Sequence, residues 1–244
     1  MIYLYRIYQL FIMLPIALVA TSLTALLTIV VCAFGDASRS SYYLALSWAK
    51  VMCWVSLVKV TINGRENINT KTSYVFVANH QGAYDIFAIY GYLGHNFKWM
   101  MKKSLEKIPL VGYACRRAGQ IFVDNSSPTA VRKTMEDAEK RLQGGMSVVA
   151  FPEGTRSKNG KMRSFKRGAY QLAVEFGLPV VPITISGAYE IMPKEAKLPK
   201  WGHIELTIHK PIYAPEQGHD VTQLMEESYN AIASTLPQRY KELA

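Results

Sequence analysis

The sequence has little cysteine and no repeated or low-complexity segment. Its three cysteines, Cys32, Cys53 and Cys115, lie far apart, and the chain has neither a C-x-x-C pair nor paired histidines. These absences argue against a zinc finger and a disulfide framework, and they favour packing roles for the cysteines in a reduced compartment. No long linker divides the 244 residues, which are enough for one sizeable domain and a membrane anchor.

Charge is also scarce, and near the N-terminus it is missing altogether. Charged residues make up 19% of the chain, and none lies between Leu10 and Gly35. An apolar run of this length is enough to cross a hydrocarbon core about 30 Å thick. The run is longer than the apolar region of a signal peptide and lacks a small-residue cleavage pattern. We therefore expect it to be retained as a membrane helix.

A second apolar stretch, from Tyr42 to Val58, carries Lys50 near its middle. A central lysine favours a helix in the membrane interface, with its ammonium group reaching water, over a second span. The two helices then form a hairpin through residues 35–38. The alternative is a single span followed by a helix buried in the domain core. With either interpretation we divide the chain into an anchor, residues 1–58, and a main domain, residues 59–244, whose chemistry depends on the strings described below.

Basic residues exceed acidic residues by ten, with 28 lysines and arginines against 18 aspartates and glutamates. Arg39, Lys50 and Lys59 follow the apolar run, whereas only Arg6 precedes it. This asymmetry predicts that the main domain faces the cytoplasm. A cationic surface there is expected to meet anionic membrane lipids. The chain carries no groove-binding motif or RNP-like string, so nucleic acid is not an expected partner.

After the anchor, strand-like segments alternate with helix-like segments. Apolar, β-branched runs predict strands over 58–62, 73–78, 98–102, 119–124, 147–151, 180–186 and 204–209. Helices are predicted over 82–93, from Ser127-Pro128 to Gly144-Gly145, over 168–177 and over 221–236. The predicted fold class is α/β, with a mixed, largely parallel sheet flanked by helices. An N-terminal membrane helix or two-helix membrane motif precedes it.

The string Asn79-His80-Gln81-Gly82-Ala83-Tyr84-Asp85 follows a predicted buried strand. Asp85 falls at the start of the next helix, where its carboxylate can accept the hydrogen bond of the His80 Nδ1. This would leave the Nε2 free as a base. The alternative is a histidine that satisfies a loop beside a helix-capping aspartate. The H-x4-D spacing alone does not decide between them.

The string Phe151-Pro152-Glu153-Gly154-Thr155-Arg156-Ser157 begins at the last residue of another predicted strand. The guanidinium of Arg156 suits bidentate binding of a phosphate, and Gly154 allows a ligand to approach the backbone. Glu153 is expected to anchor the loop from behind. Lys102 and Lys103 add charge that can converge on the same anion. The alternative is a surface turn with an ordinary ion pair.

Several strings in order resemble the glycerolipid acyltransferases, most closely the bacterial 1-acylglycerol-3-phosphate acyltransferases. These are NHxxxxD, KKxLxxxPxxG, GxIFVD, FPEGTRS and VPITISG, within residues 74–187. The resemblance implies a glycerol-3-phosphate acyltransferase-like fold and an acyl-transfer dyad of His80 and Asp85. It also implies that the phosphorylated acceptor is bound by a larger set, Lys102 or Lys103, Glu153, Gly154, Thr155 and Arg156.

The implied reaction moves a fatty acyl group from acyl-CoA or acyl-carrier protein to the sn-2 hydroxyl of lysophosphatidic acid. This would form phosphatidic acid in phospholipid biosynthesis. We expect no metal and no cofactor, and the absence of a G-x-S-x-G string favours direct attack without an acyl-enzyme.

One departure affects the acceptor. Many family members have an arginine after the GxIFVD strand, where this chain has Asn125. Arg116, Arg117 or a lysine is a candidate to supply that charge. Glycerol 3-phosphate and a lyso-aminolipid stay open as acceptors. A membrane lipid-binding protein without turnover is the alternative of another class.

Overall fold

A computed structural model describes residues 2–35, 37–124, 126–142, 146–213 and 220–241. The strands are β1 Val58–Asn63, β2 Val75–Ala78, β3 Phe97–Lys102, β4 Ile121–Val123, β5 Ser147–Ala150, β6 Val180–Ser186 and β7 Gly202–Ile208. The helices are α1 Ile2–Tyr8, α2 Leu14–Phe34, α3 Ala37–Val55, α4 Tyr84–Tyr92, α5 Val111–Arg117, α6 Pro128–Leu142, α7 Gly168–Glu175, α8 Ala188–Ile191 and α9 Val221–Thr235. A π-helical turn, Gln9–Met13, joins α1 to α2.

The seven strands form one sheet in the order β1-β7-β6-β2-β5-β3-β4. Among the described residues, the β6–β7 pairing is antiparallel and the other five pairings are parallel. This confirms the predicted mixed, largely parallel sheet. β2 and β5 lie in its middle, and every residue of both is buried, because helices cover both faces. Their carboxyl ends are therefore neighbours at one edge of the sheet.

Helices cover the two faces of the sheet with separate hydrophobic cores. On one face, α3 and α4 pack against the strands through residues that include Ala49, Cys53 and Ile89. On the other face, α7 and α9 pack through residues that include Tyr170 and Leu224. The sheet is thus the middle layer of three, which is why its central strands read as continuous apolar runs.

The apolar N-terminal run forms one long helix, and Tyr3–Phe34 is long and apolar enough to cross a membrane. α3 runs back beside it, and Trp48 donates a hydrogen bond to Thr21 Oγ1 at 3.0 Å. The inner face of α3 belongs to the domain core, while Lys50 is exposed with its ammonium 5.9 Å from the Tyr92 ring centroid. The second apolar stretch thus combines features of both interpretations, and the division at residue 58 stays a prediction.

The predicted helix boundaries agree closely with the structure. Ser127 Oγ accepts a hydrogen bond from the Ala130 amide at 3.1 Å, so it caps α6 as predicted. The Gly144-Gly145 stop, like Asp36 in the predicted turn, lies outside the described residues. α9 ends one residue earlier than predicted, because Leu236 precedes Pro237 and is extended.

Candidate active site

Asn79 fixes the chain where β2 ends. Its side chain donates to the Ile185 carbonyl at 2.8 Å and accepts from the Ile185 amide at 2.8 Å. This side chain is fully buried, and both the nitrogen and the oxygen of its carboxamide are used in joining β2 to β6. The next residue, His80, begins the loop after β2 at a point where Asn79 fixes the backbone to β6.

The side chains of His80 and Asp85 meet as the sequence predicted. His80 Nδ1 lies 2.8 Å from Asp85 Oδ2. The same oxygen accepts the backbone amides of Gln81 at 2.7 Å and Gly82 at 2.9 Å. Asp85 is completely buried in the first turn of α4, whereas the imidazole is 14% exposed. Asp85 therefore holds both the loop and the imidazole ring, so its contacts fit the dyad interpretation and the alternative of a capping aspartate beside a loop histidine. The imidazole itself is partly accessible.

The imidazole ring also lies on an aromatic stack that the sequence did not reveal. Its centroid is 3.9 Å from that of Phe151, with 6° between the planes. Trp99 stacks on Phe151 at 5.1 Å. Stacking on one face and the bond to Asp85 at Nδ1 together restrict ring rotation. The sequence predicted Phe151 at the end of a strand, but the pairing of that strand with β2 is seen only in the structure.

Glu153 connects the two loops. It is 3% exposed, and its Oε1 accepts the His80 amide at 2.7 Å while its Oε2 accepts the Arg163 amide at 3.1 Å. Burial raises the pKa of the Glu153 carboxyl to about 7, with a further contribution from Asp85 and opposition from the two amide bonds. Glu153 therefore braces the loop from behind, as its position in the sequence suggested. Its role in binding the acceptor phosphate stays a prediction.

Gly154 keeps space open in the loop after β5. Its φ is +71°, and a Cβ atom there would lie 2.9 Å from Lys166 Nζ. The amide of Ser157 donates to the His80 carbonyl at 2.8 Å, which places the half-buried Thr155 and Arg156 next to the His80 loop. Within the described part of the chain, no ion pair involves Arg156.

Lys102 and Lys103 lie at the end of β3, which pairs with β5 up to Met100 and Ala150. Both lysines are exposed, and they follow the β3 residues that pair with the end of β5. Lys103 Nζ is 2.9 Å from the Glu106 carboxylate, whose other oxygen is 2.8 Å from Arg116. The hydrogen bond from Lys103 is the largest cause that lowers the Glu106 pKa.

The two lysines therefore differ. Lys103 and Arg116 share one carboxylate, while Lys102 forms no ion pair among the described residues. Arg117 donates to the Cys32 carbonyl at 3.3 Å, away from this edge. Asn125, the predicted departure from the family pattern, lies outside the described residues. The arrangement thus combines a buried carboxylate–imidazole pair with cations that follow strands at the same edge of the mixed sheet.

Comparisons with known proteins agree with the resemblance. A family model described as Acyltransferase matches residues 59–186. The solved structure of the 1-acyl-sn-glycerophosphate (LPA) acyltransferase from Thermotoga maritima is similar with a TM-score of 0.76. It shares 28% sequence identity, and the match covers 90% of each chain.

Several curated relatives carry a related name. A chloroplastic 1-acyl-sn-glycerol-3-phosphate acyltransferase of Brassica napus is 34% identical over 80% of this chain and 56% of its own length. A 1-acyl-sn-glycerol-3-phosphate acyltransferase of Borreliella burgdorferi is 31% identical over 60% of this chain and 59% of its own. The chain spans about half of the length of the curated relatives that it matches.

Proposed function

Since the chain belongs to the acyltransferase family, we propose that it acylates the sn-2 hydroxyl of 1-acyl-glycerol 3-phosphate to form phosphatidic acid. The 2.8 Å contact between His80 Nδ1 and Asp85 Oδ2, beside unpaired cations at the same sheet edge, carries this proposal. The names of the relatives and the similar fold support the acceptor.

His80 is the general base in the proposed reaction. Asp85 accepts the hydrogen bond from Nδ1–H, and this fixes the tautomer in which Nε2 has a free lone pair. Nε2 takes the proton from the acceptor hydroxyl as the hydroxyl oxygen attacks the carbonyl carbon of the thioester. The buried carboxylate, already bonded to two amides, stabilises the imidazolium that results.

The reaction gives two products, the new ester and the free thiol. The new C–O bond forms the ester, the C–S bond breaks, and the thiolate leaves with the proton that His80 received. The enzyme returns to its starting state without a covalent intermediate. The donor is either acyl-CoA or acyl-carrier protein, and both supply the same thioester.

The acceptor phosphate binds to Arg156 and Lys102 in this proposal. A guanidinium fork suits two phosphate oxygens, and neither cation is neutralised by an ion pair among the described residues. Gly154 and Thr155 form the backbone of the loop, and Lys103 contributes a charge shared with Glu106. Lys166, whose ammonium lies above Gly154, increases the positive potential.

A turnover assay of the purified chain tests the proposal. Lysophosphatidic acid, glycerol 3-phosphate and a lyso-aminolipid are each offered with acyl-CoA and with acyl-carrier protein. We expect lysophosphatidic acid to give the highest kcat/KM. A higher value for another acceptor would retain the reaction and change its substrate. No turnover with any pair, together with specific lipid binding, would favour the non-catalytic alternative.

The contacts of the N-terminal helix favour the hairpin over a single span. Gln9 donates to the Pro199 carbonyl at 2.6 Å near one end of this helix. Near its other end, the Cys32 carbonyl accepts from Arg117 at 3.3 Å. A helix that touches the same domain near both ends does not place those ends on opposite sides of a bilayer.

In the proposed arrangement, the exposed apolar face of this helix enters one leaflet of the inner membrane from the cytoplasmic side. Membrane fractionation tests the attachment. The protein should stay in the membrane pellet at high salt and leave it in detergent. Release by salt alone would show electrostatic attachment only.

A further inference from the structure

A groove of about 700 Å³ lies beside the start of the N-terminal helix. None of the described residues that line it belongs to the predicted acyl-transfer site. Its wall contains three basic and three aromatic side chains: Arg6, Lys197, Lys200, Tyr189, Trp201 and Tyr240. Basic and aromatic side chains together suit a ligand that combines a phosphate with an apolar body.

The groove has an excess of positive charge. Its one carboxylate among the described lining residues, Glu190, pairs with Arg239 and accepts the Tyr240 hydroxyl at 2.6 Å. The charge of Glu190 is therefore already balanced by a residue outside the groove lining. No ion pair among the described residues involves the three basic side chains of the groove, which are all exposed.

The groove is built on a fixed frame. The completely buried Gln9 donates through Nε2 to the Pro199 carbonyl at 2.6 Å. The Lys200 amide donates to the Ile191 carbonyl at 2.8 Å, and the Trp201 ring lies edge-to-face on Tyr5 at 4.6 Å. These contacts hold the loop of Lys197 and Lys200 against the N-terminal helix.

The N-terminal helix departs from regular α-helical geometry at this contact. The π-helical turn begins at Gln9, the residue that bonds to Pro199. Such turns are rare, and they occur frequently at functional sites. Arg6 bonds from the preceding turn to Gln9 Oε1 at 2.7 Å, so the guanidinium is oriented by the same residue that holds the loop.

The groove borders the apolar face of the helix. Tyr3, Leu4 and Ile7, on the turns that carry Arg6, are 82%, 72% and 56% exposed. Where an apolar surface meets basic and aromatic side chains, a protein commonly crosses from hydrocarbon to the headgroup layer. A ligand in the groove can therefore extend along the helix into the lipid.

We propose that this groove binds the anionic headgroup of a bilayer phospholipid, separately from the acyl-transfer site. The phosphate contacts Lys197, Lys200 and Arg6, Trp201 packs beside the glycerol region, and the acyl chains follow the exposed face of the helix. The proposal rests on the membrane attachment in the proposed function and does not require acyl transfer.

Lipid retention by the purified full chain in detergent tests the proposal without any turnover. Native mass spectrometry measures the binding of added phosphatidylglycerol and phosphatidylcholine. The variant Lys197→Gln/Lys200→Gln is compared with Lys133→Gln/Lys140→Gln, which removes two exposed charges from α6. Each basic residue near an anionic lipid surface contributes roughly fivefold in affinity. The groove variant should therefore lose about thirtyfold for phosphatidylglycerol, and the α6 variant less than about twofold.

Three results would overturn the proposal. The first is equal loss in both variants, which would indicate general charge attraction. The second is unchanged phosphatidylglycerol binding in the groove variant. The third is displacement of the lipid by coenzyme A or inorganic phosphate at low concentration, which would assign the groove to a soluble anion. If the groove variant melts at a lower temperature than the wild type, Arg6→Gln replaces it with a smaller expected loss, about fivefold.

Discussion

The loop after β2 and the loop after β5 meet at the edge of the sheet, and they differ in whether their charged side chains have partners. In the loop after β2, the Asp85 carboxylate is buried and its Oδ2 accepts three hydrogen bonds. In the loop after β5, the buried Glu153 is committed to the backbone, whereas Arg156 takes part in no ion pair of the described residues.

This difference follows from what each loop is proposed to do. A base needs one fixed partner that determines its tautomer. An anion site needs a positive charge that is not already neutralised. Substitutions in the first loop should therefore lower kcat, and substitutions in the second should mainly raise KM for the acceptor. The predictions below test that division, beginning with the largest expected effect.

Replacing His80 with alanine should have the largest effect. General-base help is typically worth about 10²–10⁴-fold in rate, and we expect a loss of kcat in that range. Turnover with lysophosphatidic acid is the measurement, with the melting temperature as a check on folding. His203→Ala removes an exposed histidine that contacts Thr61, and it should keep the wild-type rate. Near wild-type turnover in His80→Ala would show that the base lies elsewhere.

Replacing Asp85 with asparagine should lower kcat less than His80→Ala does. The imidazole stays and the amide oxygen can still accept from Nδ1, but the negative charge that stabilises the imidazolium is lost, so we expect kcat to fall toward the lower end of the ~10²–10⁴-fold range, with little change in KM. The asparagine NH₂ would also occupy the position of Asp85 Oδ1, which has no partner among the described residues. An effect on KM alone would contradict the proposed division of the loops.

Replacing Glu153 with glutamine should change how stability depends on pH. The folded pKa of about 7 exceeds the unfolded value of roughly 4.3, so the unfolded chain releases this proton first as pH rises. The contribution of Glu153 to stability is therefore lost between about pH 4.3 and 7, by on the order of 3 kcal/mol.

Glutamine does not titrate, so the two proteins should diverge with pH. Between pH 5 and pH 8, the melting temperature of the wild type should fall relative to Glu153→Gln by about 5–10 °C. The measurement is thermal unfolding of both proteins in the same detergent. A constant difference across this range would show that the Glu153 pKa is close to that of the unfolded chain.

Replacing Arg156 with lysine should raise KM for lysophosphatidic acid about tenfold, because the ammonium keeps the charge but loses the two-pronged fork. KM for the thioester donor should change less. Arg163→Lys, at an exposed position whose backbone amide bonds to Glu153, is the matched control. Equal increases for both substrates would place Arg156 at the donor.

The smallest expected change in KM concerns the two lysines at the end of β3. Lys102→Gln should raise KM for the acceptor about threefold, and Lys103→Gln by less, because Lys103 already shares the Glu106 carboxylate with Arg116. Steady-state kinetics of the two variants side by side provide the measurement. A larger effect of Lys103→Gln would show that its ion pair opens when the acceptor binds.

The contact between His80 and Asp85 could be predicted from sequence because both residues lie in one short strand-to-helix turn. The loop position of Arg156 could be predicted because a buried strand precedes it. The stack of His80 on Phe151 could not, because it depends on β2 and β5 being neighbours. The same holds for the bond from Gln9 to Pro199, which joins the N-terminal helix to a loop near the end of the domain.

The sequence by itself determined the elements of this protein and the chemistry at their ends. Periodicity, turn residues and local spacing act over a few residues, so they predict strands, helices and the pairing of His80 with Asp85. Only the tertiary structure decided which strand ends are neighbours, how the inner face of α3 enters the core, and that three basic residues meet in one groove. Those contacts depend on the order in which strands pair and on how helices cover the sheet. Many local patterns are compatible with several such orders, and packing of the whole chain selects one.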